Sequence, residues 1–323
     1  MGKKGPRRGS LAFWHRKRAL GLLPRVRAWG SDGKSLEGFP GFKVGMTHVV
    51  IVDDSDSPTK GQEIVKSVTL VEVPPLFVYS IVGYKNTVYG VKRFIEVPAT
   101  QVPKQLSLSH TVAKKTKKTL ADFEKLLPEL SDVRVLACTQ PFKVPAIGTK
   151  QPDFFEVGLG GKNATEKFAS AKELLGKEVP ISQVFKEGEF FDAIGVTKGF
   201  GWQGVVARFG VALNPHKATK SRRHGGSIGA ETPAKVMYTI PRAGQAGFHR
   251  RTERMKRIYS ISNKPTDYSQ NACFPNYGKI TNDFIVVEGS LSGPAKRVLF
   301  LRKLLYETLV KKPEVKEVIK VVA

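Results

Sequence analysis

Between Asn214 and Lys235 the chain reads NPHKATKSRRHGGSIGAETPAK, and Ile228 is its single large apolar side chain. A stretch of this length and composition cannot build a core of its own, and it is too long for an ordinary connection between elements. Its backbone polar groups need partners that a compact protein interior does not offer. Such segments stay disordered or order only against a partner. Gly, Arg and His are mixed here without low-complexity repetition, which favours ordering against a polyanion.

The distribution of charge agrees. The chain has 323 residues, with 53 Lys+Arg against 28 Asp+Glu, a formal net charge of +25. Residues 1–31 hold nine bases and no acid, and residues 198–258 hold thirteen bases and two acids. The rest is close to neutral: −1 over 32–100, +2 over 101–197 and +4 over 259–323. A solvated surface spreads its charge, whereas two concentrated blocks suit nucleic acid, an anionic membrane or an acidic protein. No apolar run approaches a membrane span, and the basic N-terminus lacks the apolar stretch of a signal peptide. A soluble intracellular protein of one or two domains is expected.

Hydrophobic residues make up 41% of the chain, enough for a sizeable core. From Gly41 the texture becomes short and β-branched: GMTHVVIVDD, IVKSVTLVEV, LFVYSIVGYKN and TVYGVKRFIEV, separated by turn-rich DDSDSPTKG and PP. This predicts an antiparallel meander or barrel. Over 101–180, LADFEKLLPEL and ATEKFASAKELLG carry helical spacing around a strand-like VRVLACT, which predicts an α/β insertion. FFDAIGVT, IYSIS, DFIVVEG and KRVLFLR resume the strand texture. The expected fold is mainly β with an α/β insertion. The division is a basic arm over 1–38, a β core over 39–100, 181–197 and 258–302, the insertion over 101–180, a basic loop over 198–257 inside the β core, and a C-terminal segment over 303–323. In the last segment, RKLLYETLVKK has helical spacing and PEVKEVIKVVA is strand-like.

Several local motifs point to chemistry that their surroundings exclude. GGSIG fits the G-x-S-x-G of a nucleophile elbow, but that needs a buried strand before Ser227 and a helix after it. HKATKSRRH and GAETPAK supply neither. Gly199, Gly201 and Gly204 match G-x-G-x-x-G, yet no acid follows before Glu231 to bind a ribose, and the kinase partner motifs are absent. There the glycines let backbone approach phosphates, with Lys198 and Arg208 adding charge. Gly33-Lys34-Ser35 is no Walker loop, because Ala28 stands where the first glycine is required. The two cysteines, Cys138 and Cys273, form no disulfide framework, and no His–Cys spacing suits a metal. No carboxylate pair presents itself as acid and base. Neither catalytic residues nor a cofactor are expected.

PRRGSLAFWHRKR, GFKVGMTHVV, GVTKGFGWQGVVARFG, RRHGGSIGAETPAKV, RAGQAGFHRRTERMKRIYSI, NYG and GSLSGPAKRVLFLR, in this order from residue 6 to about 302, together resemble the ribosomal protein L-three family. This is a universal family of the large ribosomal subunit. The N-terminus and the insertion are similar to archaeal members. The resemblance implies a six-stranded β-barrel like those of translation factors, with long irregular basic extensions. It implies a cytoplasmic, non-enzymatic ribosomal constituent that binds large-subunit ribosomal RNA near its 3′ end, early in assembly, beside neighbouring ribosomal proteins. Neither a membrane nor a small-molecule substrate is implied. The loop tip, around Arg222, Arg223, His224, Gly225, Gly226, Ser227, Ile228 and Gly229, becomes a finger toward the peptidyl-transferase centre. Relatives carry a Trp or a methylatable Gln near this tip. Glu231 stands near the Trp position here, so neither property transfers.

The RNA contacts expected in the arm are Arg7, Arg8, Phe13, Trp14, Arg16, Lys17, Arg18, Arg25 and Arg27, the two aromatics by stacking. In the loop they are Lys198, Trp202, Arg208, His216, Lys217, Lys220, Lys235 and Arg242 together with the tip residues. The returning stretch adds His249, Arg250, Arg251, Arg254, Lys256 and Arg257. Phosphate and shape contacts should dominate over base reading. Two other classes compete: an RNA-modifying enzyme, which lacks a visible active site, and a DNA-packaging protein, which ribonuclease would not release.

Overall fold

The β-branched runs become strands of a mainly β fold. The computed structural model describes residues 13–30, 35–108, 118–217, 221–232, 234–268, 273–305 and 318–319. In chain order the strands are β1 (Gly38–Val52), β2 (Glu63–Glu72), β3 (Leu76–Thr87), β4 (Gly90–Pro98), β5 (Asp132–Cys138), β6 (Phe154–Gly158), β7 (Glu178–Val179), β8 (Phe190–Val196), β9 (Gly199–Gln203), β10 (Gly244–Gly247), β11 (Arg250–Ser262), β12 (Cys273–Phe274), β13 (Gly278–Lys279), β14 (Phe284–Glu288), β15 (Val298–Lys303) and β16 (Val318–Ile319). The helices are α1 (Leu120–Leu126), α2 (Ala164–Leu174) and α3 (Val205–Phe209). Two compact units form: Met1–Gly21 with Val196–Arg251, and Leu22–Gly195 with Thr252–Ala323.

The larger unit is organised by one sheet in the order β15-β8-β11-β14-β2-β1-β16, in which β15 also pairs with β1. β1 is 15 residues long and is paired on both edges. Its first part, Gly38–Phe42, runs antiparallel to β15, and from Phe42 onward it runs antiparallel to β2. A Cβ on Gly38 would lie 2.4 Å from the Phe300 ring and 2.8 Å from the Leu301 carbonyl oxygen. Glycine is therefore what lets β1 and β15 close up. The turn between β1 and β2 is tied by Asp53, which accepts from the Ser55 amide (3.0 Å) and from the hydroxyls of Ser55 (2.6 Å), Ser57 (2.8 Å) and Thr59 (2.5 Å). These bonds hold the Asp53 carboxyl far below its ordinary pKa, as the sequence cluster DDSDSPT suits.

β2 shows how burial follows sequence. Its first half alternates exposed and half-buried, and its second half, VTLVE, is buried throughout. That second half lies between β1 and β14. Buried strands of this kind read as continuous β-branched runs. Phe39, Leu70, Phe191, Phe284, Phe300 and Leu301 are among the fully buried side chains of this core.

A second sheet has the order β4-β3-β5-β6, with β7 also on β3. Here the structure cuts across the division expected at residue 100. The sequence texture groups β3 and β4 with β1 and β2, yet they share a sheet with β5 and β6 from the 101–180 stretch, β3 pairing with β5. Strand texture identifies a strand but not its neighbour, since β-branched runs in either sheet look alike. α1 and α2 fall on LADFEKL and ATEKFASAKEL, as their spacing predicted. Thr119 and Asp122 form a capping box that starts α1, and the Phe123 and Phe168 rings stack at 4.8 Å between the two helices. Of RKLLYETLVKK, read as helical, Arg302 and Lys303 instead end β15 and residues 306–312 lie outside the described residues, while Val318–Ile319 pair with β1.

Two carboxylates, one buried and one half-buried, give tests. Glu72, fully buried at the end of β2, accepts from the Tyr277 hydroxyl (2.6 Å), the Asn282 side-chain amide (2.8 Å) and the Asn282 backbone N–H (3.0 Å). Glu72→Ala leaves these donors unsatisfied and should lower unfolding stability by about 3 kcal/mol or more, read by urea denaturation. Burial pushes the Asp153 carboxyl up to about 6, and no donor among the described residues offsets it. A raised carboxyl stabilises the fold most below the unfolded value near 4, and that stability is lost as pH rises through 6. Asp153→Asn should therefore stabilise the protein by about 1–2 kcal/mol at pH 7.5, after discounting for partial solvent access, and by little at pH 4. Equal gains at both pH values would mean that ionisation is not the cause.

Candidate nucleic-acid interface

The smaller unit is assembled from the basic arm and the basic loop. The regular elements among its described residues are short. β9 and β10 form an antiparallel two-stranded ribbon, with Gln203 opposite Gly244 and Gly199 opposite Gly247. Gly247 has φ +70°, and a Cβ there would sit 2.1 Å from the Lys198 carbonyl oxygen. No other residue fits that site. α3 is a short helix that ends on Gly210 at φ +70°. The G-x-G-x-x-G match thus builds a ribbon strand and the start of a short helix, not a strand–turn–helix that would cradle a dinucleotide.

Arg208 holds this unit together. Its Nε donates to the Gln245 carbonyl (2.9 Å), Nη1 to the Arg242 carbonyl (2.9 Å) and Nη2 to the Arg16 carbonyl (3.4 Å). Burial, and then the Arg16 charge, push its pKa below the ordinary value. Gly244 leaves room for it, since a Cβ there would meet the guanidinium at 2.7 Å. The Phe209 ring is the second anchor: Trp14 packs edge-on against it at 5.8 Å, with Arg208 and Arg16 over its face at 4.9 and 5.6 Å. His249 is the third. It is buried, its Nδ1 lies 2.9 Å from the Lys17 carbonyl as donor, and its backbone N–H donates to Thr197 Oγ1. The Ala19 amide also donates to the Phe248 carbonyl, so the arm is laid along residues 248–249. Burial, then the charge of the adjacent Arg251, lowers the His15 pKa.

The expected contacts therefore separate by role. Trp14, Arg16, Arg208 and His249 spend their contacts on the unit itself. Lys17 and Arg18 are exposed beside them, as are Phe13, Lys198 and Trp202. From residue 211 to 243 the described residues form no helix or strand. The stretch folds back on itself through Asn214, whose amide donates to the Arg222 carbonyl (3.1 Å) and whose carbonyl accepts from Arg222 Nε (3.3 Å). His216, Lys217, Arg223, His224, Gly226, Lys235 and Arg242 are exposed, and Gly225 is half-buried. Lys198, Lys217, Arg222, Arg223, Lys235 and Arg242 enter no ion pair among the described residues. Arg7, Arg8 and Lys220 lie outside the described residues.

Ser227 is exposed, and among the described residues its hydroxyl bonds to Gly229, donating to the carbonyl at 3.4 Å and accepting from the amide at 3.5 Å. Among the described residues no base bonds to it and no strand leads into it, so an elbow geometry is not built here. Among the described residues no group of His, Cys, Asp and Glu could hold a metal.

Other expected contacts lie in the larger unit. Arg25, Arg27 and Arg254 are exposed there. Arg257 is buried on β11 and clamps Asp54 with both terminal nitrogens, one at 2.8 Å, which holds the Asp54 carboxyl below its ordinary pKa. Lys256 pairs with Glu253 at 3.4 Å. The charge run alone does not distinguish Arg257 from a free cation, because Asp54 lies 203 positions away. Arg250 is exposed, and Arg251 is half-buried beside His15 in the smaller unit. Two exposed aromatics were not singled out by sequence: Phe200 on β9 and Tyr238 in the loop. Their neighbours GFGWQG and VMYTI look like ordinary strand material, and only their exposure marks them.

Three comparisons bear on this arrangement. The family model described as ribosomal protein L3 matches residues 1–321. The large ribosomal subunit protein uL3 of Methanococcus vannielii is 43% identical over 307 residues, 94% of this chain and 92% of that one. That of Methanocaldococcus jannaschii is 42% identical over 318 residues, 96% and 95% of the two chains.

If Arg208 is the clamp, Arg208→Ala should free the arm in the isolated protein. Limited thermolysin digestion should then cut within residues 13–21 about tenfold faster, while the larger unit keeps its protection. Unchanged cleavage would show that the arm is held without it.

Proposed function

Because the chain belongs to the ribosomal protein L3 family, and so is a structural constituent of the large ribosomal subunit rather than an enzyme, we propose that its smaller unit is the part embedded in ribosomal RNA. As a ribosomal constituent it works in the cytoplasm, beside other large-subunit proteins. The observation that carries the reading is the division of cations in that unit. Arg208 and His249 donate to carbonyls, that of Arg16 among them, and order the backbone, while Lys198, Lys217, Arg222, Arg223, Lys235 and Arg242 have no ion-pair partner among the described residues. Unpaired cations on an ordered backbone are what phosphate contacts require.

In the same reading the arm over 1–38 and the loop over 198–257 are the RNA-bound extensions. The strands β1, β2, β8, β11, β14 and β15 make up a six-stranded barrel of the translation-factor type. Its support is the β1–β15 pairing, which brings the strand order back to its start. The RNA bound is the large-subunit ribosomal RNA near its 3′ end, engaged early in assembly, with the tip Arg222–Gly229 directed at the peptidyl-transferase centre. Glu231, exposed near the tip, repels phosphate and marks where the finger is not in contact with the RNA backbone.

Sedimentation of a lysate in high salt, with and without ribonuclease, tests the reading: the chain should travel with the large subunit, and only ribonuclease should free it. Deleting residues 214–235 should leave the larger unit folded, with an unchanged melting transition, but impair subunit maturation or peptidyl transfer. Ser227→Ala should leave both properties as in wild type. A chain that remains at the top of the gradient in both samples overturns the proposal.

A further inference from the structure

The ribbon of the smaller unit carries two aromatic rings for which the unit itself has no use. Phe200 is 63% exposed and Trp202 77% exposed, both on β9. Neither has a ring or cation over it among the described residues. The other two tryptophans do have such partners: Trp14 has Phe209 and Trp29 has Phe300. Gly201, between the two rings, has φ +67°, and a Cβ there or at Gly204 would meet nothing within 4 Å. The backbone therefore turns between the rings and leaves the space beside it open. The side-chain amides nearby are already engaged with backbone: Gln203 donates to the Phe200 carbonyl at 2.8 Å, and Gln245 to the Gly247 carbonyl at 3.1 Å.

We propose that Phe200 and Trp202 form a stacking platform for unpaired bases of RNA. The proposal rests on the RNA reading above and adds the kind of RNA taken at this place: an unstacked, single-stranded stretch, not a duplex. Rings offer every base a face to stack on, and a duplex hides those faces. The setting favours RNA over an apolar pocket on a protein, because residues 198–258 hold thirteen bases and two acids. The cores of protein interfaces are depleted in lysine, whereas base-stacking aromatics work beside cations that follow the phosphates. With Gln203 and Gln245 tied to backbone, the platform stacks without hydrogen-bond reading and so has little sequence preference.

The test uses the full chain with a single-stranded oligoadenylate and a blunt RNA duplex of equal charge, each titrated over a range of salt. Wild type should bind the single strand with quenching of tryptophan fluorescence, and Trp202→Leu should abolish that quenched component. Phe200→Leu with Trp202→Leu should weaken single-strand binding about tenfold or more, leave duplex binding within about twofold, and leave the slope of affinity against salt unchanged. Trp202→Phe, which keeps a ring, should restore most of the affinity and guards against a misfolded ribbon. Lys198→Gln should do the opposite and reduce the salt slope. Equal losses for both RNAs, or no quenching, overturns the platform while leaving the RNA reading intact. A wild-type chain that binds neither RNA refutes both. Variants that bind RNA as wild type but lose a protein retained after ribonuclease treatment would assign the ribbon to a protein pocket and overturn the proposal.

Discussion

The larger unit depends on β1 being paired along both edges. Gly38–Phe42 hydrogen-bonds to β15, and Phe42–Val52 to β2, so one strand joins the start of the chain to residues near 300. Unpaired strand edges are sticky and poorly ordered, and a double pairing removes them from the first strand. The pairing also places Phe39 and Phe42 in the interior beside Phe300 and Leu299, where all four are at most 2% exposed. Arg302 on β15 adds an ion pair with Asp192 on β8 at 2.6 Å, both nearly buried, and donates to the Ala28 carbonyl at 3.1 Å. A buried pair of this kind is tolerated when its remaining donors find acceptors; Arg302 Nη1 finds one in Ala28, while the buried Nε finds none among the described residues.

The smaller unit follows a different logic. It has no core comparable to that of the sheet, and its order comes from a guanidinium, an imidazole and one phenyl ring. Arg208 and His249 act on carbonyl groups, which any residue supplies. Apart from Gly244 and Gly247, which the close approach of backbone and guanidinium requires, the sequence around those carbonyls is free to be whatever the outward surface requires. This explains how a segment with so few apolar residues keeps a defined path.

Much of the fold was legible in residue texture. β-branched runs marked β1, β2, β3, β8, β14 and β15, and helical spacing marked α1 and α2, because each reflects a periodicity of burial. Pairing was not legible. Nothing in LFVYSIVGYKN says that β3 joins β5 and not β2, since the choice is made by side chains distant in sequence. The site divided in the same way. Charge concentration located the two basic segments, and unsuitable flanks disposed of Ser227. The roles of single cations escaped, because the partners of Arg257 (Asp54) and Arg208 (three carbonyls) become neighbours only on folding. Phe200 escaped because aromatic residues in strands are usually buried.

The long reach of β1 bears on how the chain acquires its structure as it is made. Synthesis is vectorial, and β1 emerges first, but its β15 edge has no partner until some 260 residues later, when Val298–Arg302 appears. The sheet of β3, β4, β5, β6 and β7 is complete once Val179 has appeared, so it is free to form while the ribosome is still working on the remainder. The arm has a similar wait, since residue 16 meets Arg208 across 192 positions. Until then a strongly cationic N-terminus and one open strand edge are presented to the cell together, and a nascent chain in that condition calls for protection from nucleic acid and from its own copies.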